Sequence, residues 1–118
     1  MNQKIWGETC EIFRNDTVSV NLLKIKKGGV CSWHFHNSKY NRFHVVSGRI
    51  VIRFQYPDCS LSTCAVEEGE SHGDIPPRVL HEFEGLEDSV VIETTFVKND
   101  PDDITRVTRV RAGHLRLR

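Results

Sequence analysis

GGVCSWHFHNSKYNRFHVVSG, residues 28–48, places two of the chain's six histidines one residue apart. In an extended strand, residues two apart point to the same face, so His34 and His36 can grip one ion together. Asn37-Ser38-Lys39 has turn chemistry, and beyond it Asn41, Phe43 and Val45 form a second row of period two. Two neighbouring strands then present His34, His36 and Asn41 inward.

Outward from this stretch the chain reads as short strands. Residues 5–13 are apolar but broken by Gly7, which fits one or two strands before the turn at Asn15-Asp16. Val18, Val20 and Leu22 alternate with Ser19 and Asn21. Leu23 and Ile25 then change the parity, as a bulge would. On the other side, Ile50, Ile52, Phe54 and Tyr56 alternate as a half-buried strand, and shorter candidates occupy 63–66 and 71–75, closed by Pro76-Pro77. His81 and Phe83 share a face, and Val90, Ile92, Thr94 and Phe96 continue the alternation. No helical period precedes Asn99, so the pattern predicts an all-β barrel or sandwich. The Asp- and Arg-rich residues from Asn99 onward predict a turn and a final edge segment, with no chemistry attached to Asp100–Asp103.

The 118 residues predict one domain, 1–118, able to bury roughly two thirds of its unfolded surface. Sixteen basic and sixteen acidic side chains cancel, which argues against a nucleic-acid or membrane partner and for a small-molecule ligand. No apolar run approaches the roughly 20 residues of a membrane helix, and MNQKIWGETC lacks a signal-peptide core, so a soluble, cytoplasmic protein is expected. Cys10, Cys31, Cys59 and Cys64 are spaced like neither a disulfide framework nor a zinc ribbon.

The residues at this point resemble the cupin superfamily. Gly28 or Gly29, His34-x-His36, Asn41 and Gly48 are similar to the first cupin motif, and Gly69 followed by Pro76-Pro77-Arg78-Val79-Leu80-His81 to the second. The motifs span 28–48 and 69–85. Val45–Gly48 and Asp102-Asp103-Ile104-Thr105-Arg106 also resemble segments of the cupin domain of type II phosphomannose isomerases. The resemblance implies a cupin double-stranded β-helix, a jelly-roll-like antiparallel barrel, with His34, His36 and His81 as metal ligands. Asn41 stands where the family has a carboxylate, Arg78 where it has a glycine, and Gly85 where it has an asparagine. Three imidazoles suit Zn, Mn, Fe, Ni or Cu, and Asn41 is expected either as a weak fourth ligand through its amide oxygen or as a hydrogen-bonding residue that orients a ligand histidine.

A metal held by three histidines keeps positions open for substrate, as catalytic sites do. The expected function is an isomerase or epimerase acting on a sugar or sugar acid. A non-catalytic cupin that binds or senses a small molecule is the competing class, and a metal-dependent dioxygenase the third. Tyr40 is the candidate acid or base, ahead of Glu82 and His44, and Arg42 and Arg78 are candidate substrate contacts at the barrel mouth. Glu82, next to His81, should point away, and His44, His72 and His114 are expected at the surface. Strict alternation turns Cys31, Trp33 and Phe35 outward, opposite Ser32, His34 and His36. Such a patch predicts a homodimer; the other possible cover is the N-terminal segment with Ile5 and Trp6.

Overall fold

Alternating sequence with frequent turns becomes strand throughout. The computed structural model describes residues 2–98, 100–109 and 115–117, which form twelve strands and no helix; His114 lies outside them. In chain order the strands are β1 (Asn2–Lys4), β2 (Gly7–Arg14), β3 (Val18–Ile25), β4 (Trp33–Phe35), β5 (Tyr40–Ser47) and β6 (Arg49–Gln55). There follow β7 (Leu61–Glu67), β8 (Ser71–Ile75), β9 (Leu80–Gly85), β10 (Ser89–Phe96), β11 (Thr105–Arg109) and β12 (Leu115–Leu117). They pair antiparallel into two six-stranded sheets, ordered β1-β2-β3-β10-β5-β8 and β12-β11-β4-β9-β6-β7. This is the all-β jelly roll expected from the sequence.

The facing surfaces of the two sheets enclose the core. Leu23 and Ile25 of β3, Phe43 and Val45 of β5, Ile50, Ile52 and Phe54 of β6, Phe83 of β9 and Val91 of β10 pack into one apolar cluster. Phe83 is met edge-on by Trp6 and by Phe43, with ring centroids 5.0 and 6.0 Å away. Backbone glycine is required where the chain crosses itself. A Cβ on Gly29 would lie 2.5 Å from the Trp6 carbonyl oxygen, and one on Gly85 2.6 Å from that of Lys26.

Three readings of face change. β3 runs without a bulge against β10, and the irregularity falls instead on β2, between Glu11 and Phe13. The inward row of β3 is therefore Ser19, Asn21, Leu23 and Ile25, not Val18, Val20 and Leu22. On β10 the inward row is Ser89, Val91, Glu93 and Thr95, the opposite parity from the apolar one. Trp33 is only 4% exposed within the single chain. Cys31 packs on the core, because residues 31 and 32 precede β4 and do not obey its alternation. The outward patch that predicted a dimer is therefore not formed. Trp6 does fold over the core, while Ile5 stays exposed.

Candidate metal centre

β4, β9 and β6 lie side by side, and their register puts His34 directly opposite His81, which in turn faces Phe54. Directly opposed residues share a face of the sheet, so both rings point into the barrel. His36, just beyond β4, joins them. One ring nitrogen from each of His34, His36 and His81 lies within 4.8 Å of the others, the one such cluster among the described residues.

Each ring has its Nδ1 tied to a backbone carbonyl. His34 bonds Ser32 at 2.8 Å, His36 bonds Asp103 at 2.6 Å and His81 bonds Val79 at 2.9 Å. A carbonyl only accepts, so Nδ1 carries the proton in all three and the lone pair is on Nε2. The Nε2 atoms of His36 and His81 are buried without a hydrogen-bond partner. Burial pushes all three pKa values down, His34 far down and His81 to about 4; repulsion from neighbouring rings adds to it at His34 and His81, and the charges of Lys39 and Arg106 at His36. Neutral rings with fixed tautomers and orphaned, converging lone pairs fit a divalent metal ion.

The C-terminal segment completes this arrangement. The Asp103 carboxylate accepts the backbone N–H groups of Asn37 and Ser38 at 2.7 and 2.8 Å, while its carbonyl holds His36. Burial opposes ionisation of Asp103, but the two N–H donors outweigh it and hold its pKa below the usual range. Asp103 thus clamps the turn after β4, a role its place in an acidic run did not announce. Arg78 has a φ of 68° and donates its N–H to the His36 carbonyl at 2.7 Å. A glycine would adopt that left-handed conformation without the cost of about 1 kcal/mol borne by a side chain.

Beside the histidines lies a cavity of about 470 Å3, lined among others by His34, His36, Lys39, Asn41, Glu93 and Arg106. Asn41 is 1% exposed; its Nδ2 donates to Glu93 Oε2 at 2.9 Å, and its Oδ1 has no partner. Burial raises the pKa of Glu93, opposed by the Asn41 bond and by Lys39. Cys31 also lines the cavity, its thiol pushed up to about 12 by burial. A larger groove, about 590 Å3, lies elsewhere between Gln3, Lys24 and Asp88, and none of the three histidines lines it.

Other residues singled out in the sequence lie apart from this cavity. Tyr40 and Arg42 have the opposite parity from Asn41 on β5: Tyr40 stacks on Phe96 at 5.5 Å and Arg42 pairs with Asp74 at 2.8 Å. Arg78 is exposed and does not line the cavity. Glu82 points away as expected, to Arg53 at 2.8 Å, and His44 bonds Ser71 on the outer face of β5 at 2.7 Å. His72 is not solvated. Opposite Phe43 in register, it lies 4.9 Å from the Phe54 ring with its Nδ1 buried.

No family model matches the chain, and no curated protein matches it in sequence. Solved structures do. Oxalate decarboxylase from Bacillus subtilis superposes with a TM-score of 0.76 at 14% identity, over 90% of this chain and 29% of that one. The capsular polysaccharide assembling protein CapF from Staphylococcus aureus gives 0.74 at 29% identity, over 88% of this chain and 32% of that one. These neighbours share the two-sheet cupin barrel, here with three histidines converging inside it. The chain has the cupin fold. KdgF from Halomonas sp. is similar over 85% of this chain and 86% of its own length, with a TM-score of 0.73 at 18% identity. This chain spans about a third of the CapF chain, which has also been solved with the inhibitor 3-isopropenyl-tropolone. The likeness to type II phosphomannose isomerases rests on the short sequence matches alone.

Proposed function

We propose that this cupin-fold protein binds a divalent metal through Nε2 of His34, His36 and His81 and acts on a small sugar or sugar acid as an isomerase or epimerase. The observation that carries this reading is the buried carboxyl of Glu93 in the cavity beside three converging histidine nitrogens. When bound, a metal with a neutral ligand set polarises a carbonyl and favours oxygen donors. Tropolone, an α-hydroxyketone, is a chelating oxygen donor, and its derivative inhibits CapF; a hydroxyaldehyde or hydroxy acid has the same pair of oxygens.

Glu93 supplies the proton acceptor that sequence alone did not reveal. With a pKa raised by burial, it is a stronger base than an exposed carboxylate once ionised, and the acid it then becomes is the donor for the return of the proton. It would take the proton from the carbon next to the substrate carbonyl and return it to the former carbonyl carbon, while the hydroxyl proton passes to the former carbonyl oxygen. In an epimerisation Glu93 would keep the proton it took and a second donor would protonate the opposite face of the same carbon. Asn41 holds one Glu93 oxygen and so orients the other. Tyr40 has no part in this scheme, since its ring lies against Phe96.

The test is metal analysis of the purified protein, followed by turnover of aldoses, ketoses and uronates by wild type, His81→Ala and Glu93→Gln. Expected are loss of metal in His81→Ala, and retained metal with turnover reduced by about 100-fold or more in Glu93→Gln. Ligand-dependent stabilisation with no turnover of any sugar would select the non-catalytic binder instead. Oxygen uptake dependent on iron would select the dioxygenase.

A further inference from the structure

We infer that the cavity holds a second, anionic group of its ligand, a carboxylate or a phosphate, between Lys39 and Arg106. This deepens the reading above, taking from it only that a small oxygen-rich molecule occupies the cavity. The chain as a whole is neutral, with 16 basic and 16 acidic residues. Its cavity is not. Lys4, Arg14, Lys39 and Arg106 line it against the single acid Glu93. Arg14 is engaged with Glu11 at 3.2 Å, but the excess remains positive. Low-dielectric walls carrying one sign of charge concentrate ligands of the other.

Lys39 is the more telling of the two. It is 8% exposed, and its ammonium, with three protons to place, reaches the Asp100 carbonyl at 3.4 Å. The nearby acids are otherwise engaged: Asp103 accepts from Asn37 and Ser38, and Glu93 accepts from Asn41. A buried ammonium facing a cavity with so weak an acceptor favours any anionic oxygen that enters.

Arg106 arrives from the other side of the same wall. On β11 it stands directly opposite His34, so its side chain leaves the sheet on the face that carries the histidines. The Asp103 clamp fastens the turn carrying Lys39 to the segment leading into β11, and both cations act on His36. The guanidinium fork matches a carboxylate or phosphate with two parallel bonds, which the exposed end of Arg106 is free to swing into.

Calorimetric titration with D-glucose, D-glucuronate and D-glucose 6-phosphate, on zinc-loaded and on chelator-treated protein, tests this. At least one acid should bind about 10-fold more tightly than glucose in both forms, and which one does so identifies the group. Arg106→Gln and Lys39→Met should each remove most of that preference and leave zinc content unchanged. Arg106 is exposed, so its replacement does not endanger folding. Equal affinity for acids and glucose, absence of binding by either acid, or a preference that survives Arg106→Gln overturns the inference. Failure of the metal reading shows separately, as wild type that takes up no zinc while the preference persists in the chelator-treated arm.

Discussion

Phe43 and Asn41 stand two residues apart on the same face of β5, and both are 1% exposed, yet they belong to different halves of the barrel interior. Phe43 joins Val45, Ile50, Ile52 and Val91 in an apolar plug; Asn41 joins Ser19, Glu93 and Thr95 around the cavity. β3, β9 and β10 change character in the same way, passing from Leu23 to Ser19, from Phe83 to His81 and from Val91 to Thr95. One set of strands thus supplies both stability and chemistry. The apolar half gains from exclusion of water, while the polar half holds groups short of partners, an arrangement that costs stability and suits ligand binding.

The largest effect should come from the plug. Phe43→Ala should lower unfolding free energy by about 3–5 kcal/mol in urea denaturation, since it empties a site that both sheets enclose. Asn41→Ala, one pleat away, should cost far less and raise the Glu93 pKa further by removing its hydrogen-bond donor. Equal destabilisation by the two would erase the distinction between the halves.

A pH series on metal-free protein addresses the polar half directly. His81 titrates near 4 when folded against 6.5 ordinarily, so between those values the unfolded chain binds a proton that the folded chain refuses. Stability is then full above pH 6.5 and falls toward pH 4, by about 3 kcal/mol from His81 alone. His34 and His36 shift in the same direction and add to the loss. Denaturation midpoints that stay constant across this window would mean that the histidines are not held neutral by burial.

Smaller changes sharpen the boundary. Asp103→Ala removes the acceptor for two N–H groups of the turn and loosens the segment that orients His36, so metal affinity in a chelator competition should weaken by about 10-fold to 100-fold. Tyr40→Phe should leave both turnover and metal content as they are and alter stability by about 0.5 kcal/mol or less, because its ring stacks on Phe96 on the face of β5 opposite Asn41. A loss of turnover in Tyr40→Phe would return that residue to the site.

Local pattern carries information only where a periodic rule holds, and this chain obeys and breaks such rules in identifiable places. The all-β class, the pairing of His34 with His36, the inward row of β6 and the shared face of His81 and Phe83 followed from alternation, since strand geometry alone sets which residues face together. Assigning the apolar row to the interior failed on β3 and β10. There the interior is a polar cavity, so Ser19, Glu93 and Thr95 face in and the apolar neighbours face out. The same error of parity hid Glu93.

What required the tertiary structure was every relation that depends on distant segments meeting. The burial of Trp33, the packing of Cys31 on the core, the clamp from Asp103 to Asn37 and Ser38, and the sharing of one cavity by Arg106 and Lys39 all depend on segments far apart in the chain coming together. The sequence by itself determined which residues can bind a metal and which strands can form, because those are properties of single side chains and of backbone periodicity. Which of the remaining polar groups share the cavity was decided by β11 lying beside β4 and β10 beside β5, since only that packing chooses which face of each strand is dry and which faces the ligand.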